Sequence, residues 1–198
     1  MLPGPASGHA HVHPVGGSLK VIPSQIPDVL VLEPEVFTDG RGFVFESYNQ
    51  RTLAEAGITD TFVQDNHSRS TCNVLRGLHY QIRQPQGKLV RVIAGAVFDV
   101  AVDIRRSSPT FGRWVGIELS TENRRMVWIP KGFAHGFLVT SEYAECLYKM
   151  TDFWASQHER AIAWDDPQLA IDWPLHGPPI LSPRDASGVR LVDAEIFE

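Results

Sequence analysis

The chain has 198 residues and a formal net charge of −5, with 43 % hydrophobic and 21 % charged residues. This length supports one well-buried core rather than two domains, and the composition excludes a disordered class. No apolar run approaches the roughly 18 residues that span a bilayer, and the acidic balance excludes a broad nucleic-acid surface. We therefore expect no membrane and no nucleic-acid partner, whereas an anionic small molecule remains a suitable ligand.

The first residues differ in composition from the rest of the chain. Residues 1–18 are rich in Gly and Pro and carry His9, His11 and His13 at alternate positions. This pattern predicts a disordered leader before a single domain over residues 19–198, although three histidines could also chelate a metal. The leader lacks the basic start and apolar middle of a signal peptide, and the two cysteines lie far apart in sequence. These observations favour a reducing, cytoplasmic location.

Short strands and turns fill the next part of the chain. The sequence predicts a tight turn over residues 39–42 and an alternating strand over residues 43–48. Asn49 is suited to cap a short helix over residues 50–56, and Gly57 suits the left-handed position that ends such a helix.

Two further strands are predicted at residues 88–93 and 96–104, joined by Ala94-Gly95. In the second, the even-numbered side chains from Phe98 to Ile104 share one face and the odd-numbered ones from Val97 to Asp103 share the other. Strands of this kind continue over residues 114–119, 126–129, 137–139 and 143–149. With 16 Gly and 14 Pro, they predict an all-β fold, an antiparallel sandwich or jelly-roll barrel.

The C-terminal part is predicted to contain a few short helices within an irregular arm. Five prolines follow Trp164, and proline is unsuited to a central strand because it lacks the backbone N–H. The arm is therefore expected to wrap the barrel or a neighbouring molecule.

Three residues have side chains suited to proton transfer at carbon. His79 is the candidate base, since histidine has an ordinary pKa of about 6.5. Lys88, beside Gly87, could stabilise a developing oxyanion. Alternation places Tyr148 on one face of its strand with small neighbours, so it could act as the acid opposite the base. The structural alternatives are a hydrogen-bonded core histidine, a solvated turn lysine and a core tyrosine with a satisfied hydroxyl.

A base histidine is usually oriented by a partner on its other ring nitrogen. Asp185 could be that partner if the tail folds back. Asp99 and Asp103, on the barrel, are alternative partners. Strict alternation also places Arg76 and His79 on opposite faces of one strand. If both line one pocket, Gly77 must permit a bulge or bend.

The segment 128–137 resembles the second half of the cupin signature, a Pro-x-Gly-x-x-His turn that ends at His135. The first half of that signature normally supplies two histidines and a glutamate as metal ligands. Here Tyr80 and Gln81 follow His79 instead. Because a metal site usually needs at least three good protein ligands, we expect a metal-free barrel.

Several motifs, in this order, resemble the dTDP-4-dehydrorhamnose 3,5-epimerase family. The resemblance runs from about residue 20 to residue 185, and its motifs are Asp39-Gly40-Arg41-Gly42-Phe43 with Glu46-Ser47-Tyr48, then residues 62–68, 75–81, 86–91, 97–100, 108–112 and 128–137. It implies a cupin-like jelly roll, a homodimer, no cofactor, and epimerisation of dTDP-4-dehydro-6-deoxyglucose at C3 and C5.

The resemblance also implies a role for each matching residue. His79 would be the base, Tyr148 the acid, Asp185 the partner of His79 and Lys88 the enolate stabiliser. Three arginines would hold the diphosphate or nearby oxygens: Arg41, Arg76 and Arg184. The remaining substrate contacts, some of them reaching across the dimer, would be Glu46, Gln64, Asn66, His135 and Glu159.

The sequence departs from the family pattern at two of these positions. Trp154 stands where the family often has a tyrosine that stacks on thymine, and Arg184 replaces a common lysine. An epimerase of a single carbon, a metal-dependent cupin and a non-catalytic sugar-binding jelly roll remain alternatives.

Overall fold

The computed structural model describes residues 17–198. The three leader histidines therefore lie outside the described residues, and the division into a leader and a single domain stays a prediction. Ser18, which falls within the predicted leader, donates hydrogen bonds from its backbone N and its Oγ to Glu35 Oε2 at 2.9 and 3.0 Å.

Two antiparallel sheets contain most of the strands, which we number in chain order. The six-stranded sheet has the spatial order β1 (Leu19–Pro23), β2 (Leu30–Pro34), β10 (Met126–Ile129), β7 (Lys88–Ala94), β12 (Tyr143–Met150) and β5 (Gln64–Thr71). The five-stranded sheet has the order β13 (Glu159–Ala161), β6 (Leu75–Gln81), β11 (Phe133–Val139), β8 (Ala96–Asp103) and β9 (Trp114–Ser120). The predicted all-β class is confirmed.

The remaining elements are short. Strands β3 (Phe37–Asp39) and β4 (Gly42–Val44) form a separate hairpin, and α1 spans Gln50–Glu55. Three 3-10 helices follow in the C-terminal part, at Ser156–His158, Asp185–Ser187 and Leu191–Asp193, as the sequence predicts. Among residues 17–198, no helix is long and apolar enough to cross a membrane.

Alternating side chains place apolar layers on both faces of β8. Val97 and Ala101 pack between the two sheets, whereas Val100, Val102 and Ile104 pack on the outer face of the five-stranded sheet. This division is the one that the alternation predicts. Each such buried aliphatic side chain contributes about 1.5–3 kcal/mol relative to exposure. The layer between the sheets holds them face to face and leaves room for a site at one end.

The C-terminal arm covers the outer face of the five-stranded sheet, as predicted. Leu169, Trp173 and Leu191 are buried in the same cluster as the outward side chains of β8. Isolated bridges join Val74 to Ile180 and Ile162 to Val189. The arm therefore returns to the barrel and brings Asp185 towards β6.

One predicted strand is wrong in its extent. The alternating segment 43–48 is extended only to Val44, where β4 ends. Beyond Val44 the chain turns towards the cap of α1, where the Asn49 side chain accepts hydrogen bonds from the backbone N of Arg51 and Thr52 at 3.0 and 3.4 Å. The predicted cap is confirmed, and Gly57 ends the helix with φ +88°.

Candidate active site

A cavity of about 660 Å³ opens between the two sheets, near the C-terminal arm. It collects side chains from six strands and from the arm, so residues distant in sequence face one space. Of the predicted site residues it is lined by Gln64, Asn66, Arg76, His79, Lys88, His135, Tyr148, Trp154, Glu159, Arg184 and Asp185.

The cavity does not contain two of the predicted contacts. Arg41 lies on the β3–β4 hairpin, where its guanidinium pairs with Asp39 at 2.6 Å. Glu46 accepts a hydrogen bond from Asn49 Nδ2 at 3.0 Å, beside α1. In a single chain these side chains therefore lie outside the site.

His79 and Asp185 form the close pair of the site. His79 Nε2 lies 2.7 Å from Asp185 Oδ1, although the oxygen is off the direction of the ring N–H, so that nitrogen has no well-aligned hydrogen bond. The other candidate partners are engaged elsewhere: Asp99 binds His135 and Asp103 binds Arg105. Among the three aspartates considered, Asp185 is therefore the one placed to orient His79.

Three further contacts hold the Asp185 carboxylate in place. Oδ1 accepts a hydrogen bond from the Gly77 backbone N at 3.0 Å, and Oδ2 accepts one from Ser182 Oγ at 2.5 Å and one from the Ser182 backbone N at 3.3 Å. Burial alone would raise the pKa of Asp185, but its contacts with His79, Ser182 and Gly77 outweigh burial and hold that pKa well below its usual range. Asp185 is thus an anion at neutral pH, placed to stabilise positive charge that develops on His79.

A bulge at Gly77 turns both Arg76 and His79 to the cavity. Strand β11 pairs His135 with His79 and Phe137 with Arg76, so Gly77 and Leu78 together face the single residue Gly136. Gly77 has φ +128°, and a Cβ there would lie 2.5 Å from Gly136 Cα. The conditional prediction of a bend at Gly77 is confirmed.

Lys88 brings a buried cation to the cavity. Its side chain is 8 % exposed, and Nζ donates to the His79 backbone O at 3.3 Å. Burial lowers the pKa of Lys88 to about 8, with Asp99 and Glu159 opposing that shift. The ammonium is therefore mostly charged at neutral pH and poorly solvated, which strengthens its attraction for an oxyanion.

Tyr148 lies on the opposite wall from His79. It belongs to β12 of the six-stranded sheet, whereas His79 belongs to β6 of the five-stranded sheet. The buried neighbours Ala144 and Cys146 share its face, as the alternation predicts. Burial raises the pKa of Tyr148 above its ordinary value of 10.0, with Arg76 opposing the shift, so the phenol keeps its proton at neutral pH.

His135 forms a second histidine–aspartate pair beside the first. Its Nε2 lies 2.9 and 3.1 Å from the Asp99 oxygens. Burial lowers the pKa of His135, which Asp99 partly offsets, so the ring favours its neutral form and can donate or accept a hydrogen bond at the cavity. Among residues 17–198, no group of three or more His, Cys, Asp or Glu side chains could hold a metal ion.

Polar side chains at the cavity mouth are linked in a chain of contacts. Arg184 forms an ion pair with Glu159, and Glu159 Oε2 accepts a hydrogen bond from Trp154 Nε1 at 3.0 Å. Gln64 Oε1 accepts the Trp154 backbone N at 2.9 Å, and Gln64 Nε2 donates to Asn66 Oδ1 at 2.9 Å. Cations and an indole ring suit a ligand with phosphates and an aromatic base.

Sequence reasoning missed the residues that support the site. Ser182 holds Asp185, and its position three residues earlier is a spacing that commonly lets a hydroxyl bond a local turn. Ser70 is buried and accepts a hydrogen bond from Arg76 Nε at 3.0 Å, a contact between strands that no local pattern indicates. The fold and these groups together define a β-sandwich with a cavity whose side chains are suited to acid–base chemistry.

Comparisons with known proteins identify the family. A sequence model described as dTDP-4-dehydrorhamnose 3,5-epimerase matches residues 23–193. The dTDP-4-dehydrorhamnose 3,5-epimerase of Pseudomonas aeruginosa is 64 % identical over 180 residues, which cover 90 % of this chain and 99 % of that protein. The chain therefore belongs to the dTDP-4-dehydrorhamnose 3,5-epimerase family.

Solved structures agree with this assignment. A dTDP-6-deoxy-D-glucose-3,5-epimerase from Legionella pneumophila, in complex with dTDP-4-keto-L-rhamnose, is 55 % identical with a TM-score of 0.88, covering 89 % of this chain and 95 % of that one. A 3'-monoepimerase from Streptomyces bikiniensis, in complex with dTDP-quinovose, is 32 % identical with a TM-score of 0.81, covering 86 % and 87 %. The fold is thus shared by enzymes described as acting at two carbons and at one.

Proposed function

We propose that this protein epimerises dTDP-4-dehydro-6-deoxyglucose at C3 and C5 to give dTDP-4-dehydrorhamnose, without a cofactor. The observation that carries the proposal is the placement of His79, paired with Asp185, and Tyr148 on opposite sheets facing one cavity. Inversion at carbon requires removal of a proton from one face and delivery of a proton to the other, which this arrangement supports.

In the first half of each inversion, neutral His79 takes the proton from the carbon next to the C4 carbonyl. The C–H electron pair forms a carbon–carbon double bond, and the carbonyl electrons move to the oxygen to give an enolate. The Lys88 ammonium stabilises that oxygen, and a positioned donor of this kind contributes about 3–4 kcal/mol. Asp185 stabilises the imidazolium that forms.

In the second half, Tyr148 gives its phenolic proton to the opposite face of the same carbon. The enolate oxygen returns its electron pair and the carbonyl re-forms, so no electrons are gained or lost overall. The tyrosinate regains a proton from solvent and His79 releases one. The high pKa of Tyr148, which burial raises, keeps it in the acid form before each transfer.

The rest of the cavity suits a nucleoside diphosphate. Arg76 and Arg184 bring guanidinium groups to the space beside the sugar site, where planar donors match phosphate oxygens. Trp154 is 58 % exposed at the mouth and is assigned the stacking contact with thymine. Gln64, Asn66, His135 and Glu159 are assigned hydrogen bonds to the sugar and the nucleoside.

Product analysis tests this function. The protein is incubated with dTDP-4-dehydro-6-deoxyglucose in D2O, and the configuration and deuterium content at C3 and C5 are read by NMR against a control without enzyme. Inversion and one deuteron at each carbon support the proposal. No enzyme-dependent exchange at either carbon would overturn it.

A second candidate is epimerisation at one carbon only. It is favoured by the 3'-monoepimerase from Streptomyces bikiniensis, which shares this fold with a TM-score of 0.81. One base and one acid could serve either one carbon or two, depending on how the sugar turns between steps. Deuterium and inversion at a single carbon in the same experiment would select this candidate.

We further propose that the enzyme works as a homodimer in which the β3–β4 hairpin reaches the partner's cavity. Arg41 and Glu46 lie outside the cavity of their own chain, although they match family substrate contacts. Phe43 and Val44, at the hairpin, are 60 % and 59 % exposed. A second copy covering these apolar side chains would also bring the two polar contacts to a site.

Hybrid dimers test this arrangement. A His79→Asn chain and an Arg41→Glu chain, carrying different affinity tags, are co-expressed and the mixed dimer is purified. If Arg41 acts in the partner's site, one of the two sites is intact and kcat/KM is about half that of the parent dimer. If Arg41 acts within its own chain, both sites are damaged and the hybrid stays as inactive as the single variants.

We propose a cytoplasmic location, because both cysteines are free thiols. Cys72 is exposed and Cys146 is buried, and neither forms a disulfide. Burial raises the pKa of Cys146 to about 12, so its thiol stays protonated. Fractionation of cells followed by immunoblotting checks the location, and recovery outside the cytoplasm would contradict it.

A further inference from the structure

Gln81 is a buried amide that stands at the end of β6, two residues beyond the candidate base. It is 3 % exposed and does not line the cavity. Its Nε2 donates to the backbone O of Gln84 at 2.7 Å and of Phe153 at 3.3 Å, and its Oε1 accepts the backbone N of Ala155 at 2.8 Å. Both ends of the amide are therefore engaged with backbone.

Two of these backbone groups flank Trp154. The segment from Phe153 to Ala155 belongs to neither a strand nor a helix, so its polar groups need partners outside regular structure. Gln81 supplies a donor on one side of Trp154 and an acceptor on the other. The indole itself is largely exposed, and its Nε1 donates to Glu159 Oε2 at 3.0 Å, so the ring depends on this hydrogen bond and on the backbone that carries it rather than on packing.

We propose that Gln81 is a positioning residue for nucleobase binding, which holds the backbone around Trp154 so that the indole is ready to stack on the base. This inference rests on the proposed function, because that function assigns Trp154 to thymine. A ring fixed before binding loses less conformational freedom when the ligand arrives, so rigid support increases affinity. The residue acts through Trp154 and touches neither the sugar nor the reacting atoms.

A double-mutant cycle on dTDP binding tests the proposal. Kd for dTDP is measured by calorimetry for the parent, Gln81→Met, Trp154→Ala and the double variant. Because base–aromatic stacking typically contributes about 1–3 kcal/mol, Trp154→Ala is expected to weaken binding on the order of tenfold. Gln81→Met is expected to weaken it about five- to tenfold in the parent and less than about twofold once Trp154 is absent.

A kinetic comparison separates positioning from a general loss of structure. Gln81→Met is expected to raise KM about five- to tenfold while kcat changes less than about twofold, because the base and acid are untouched. Asn123→Leu is the matched control, since the Asn123 amide also bonds three backbone groups, the N of Ser120, the N of Arg125 and the O of Glu118, away from the cavity. It should leave dTDP binding unchanged.

A milder variant keeps the test open if Gln81→Met folds poorly. Gln81→Asn retains the amide donor and acceptor on a side chain one methylene shorter, and we expect a smaller loss of dTDP affinity in the same direction. The proposal is overturned if the Gln81 effect is as large without Trp154 as with it, or if kcat falls while KM stays constant. The D2O experiment tests catalysis separately. If the parent protein is inactive but the effects of Gln81 and Trp154 on dTDP binding are still coupled, the proposed epimerase function is wrong and the positioning role of Gln81 stands.

Discussion

His79 Nε2 and Asp185 Oδ1 lie 2.7 Å apart, although 106 residues separate them along the chain. The contact exists because the Pro-rich arm returns to the outer face of the five-stranded sheet, where Ile180 pairs with Val74. The arm thus contributes a side chain directly to the cavity rather than serving as packing alone.

Replacing the charge of Asp185 tests that contribution. Asp185→Asn keeps the shape but removes the anion that stabilises protonated His79, so we expect kcat to fall about 10²- to 10⁴-fold with a small change in KM. Steady-state kinetics check this. Asp165→Asn, on an exposed part of the same arm, should behave as the parent, and an Asp185→Asn enzyme of parental kcat would contradict the assignment.

Lys88 is expected to set the alkaline limit of activity. Its folded-state pKa is lowered from 10.5 to about 8, so the charged form predominates below that pH and is lost as the pH rises through it. We therefore expect kcat/KM to fall about tenfold per unit well above pH 8. Tyr148 has a pKa above 10.0, so the phenol stays protonated in the pH range where Lys88 loses its charge.

Two variants test whether the fall of kcat/KM at alkaline pH is due to Lys88. Lys88→Met should lower kcat about 10²- to 10³-fold, the usual cost of removing one oxyanion donor, and the residual activity should lack the alkaline fall. Lys88→Arg keeps a charge that does not titrate in this range and should shift the fall to higher pH. If the alkaline fall of kcat/KM is unchanged in both variants, the titrating group is not Lys88.

Removal of the Tyr148 hydroxyl should separate exchange from inversion. In Tyr148→Phe, His79 can still take a proton and return one from solvent to the same face, whereas delivery to the opposite face is lost. We expect deuterium exchange to continue at a rate within about tenfold of the parent while inversion falls at least about 10²-fold. Equal loss of both would show that Tyr148 has a different role.

The bulge at Gly77 should tolerate no side chain. Gly77→Ala would place a Cβ 2.5 Å from Gly136 Cα and 2.8 Å from the His135 O, at a φ of +128°. We expect a loss of about 3 kcal/mol in the free energy of unfolding, together with lower kcat because the strand carries His79. Gly40→Ala, which meets nothing within 4 Å, is the control in denaturant unfolding and should change stability by less than about 0.5 kcal/mol.

Local patterns predicted much of the fold. Alternation correctly divided the side chains of β8 between two apolar layers and placed Tyr148 with Cys146, because each strand is packed on a definite face. The same pattern failed beyond Val44, where capping of α1 by Asn49 redirects the chain. A two-residue period cannot show where such a cap takes over from a strand.

The site depends on contacts that local patterns do not determine. Nothing near Asp185 in sequence specifies its approach to His79, which follows from the packing of the whole arm. The support given by Ser70 to Arg76 and by Gln81 to the Trp154 segment likewise joins separate elements. Side-chain chemistry and the family resemblance together supplied the candidate residues, and the folded chain supplies the reason that these side chains face one cavity.

The rate of deuterium exchange in His79→Ala shows whether His79 is the base. The parent and the variant are incubated with dTDP-4-dehydro-6-deoxyglucose in D2O, and the deuterium at C3 and C5 is followed by mass spectrometry. If His79 is the base, exchange at both carbons should fall at least about 10²-fold while the protein still binds dTDP. Exchange at the parental rate in the variant would show that another group removes the proton.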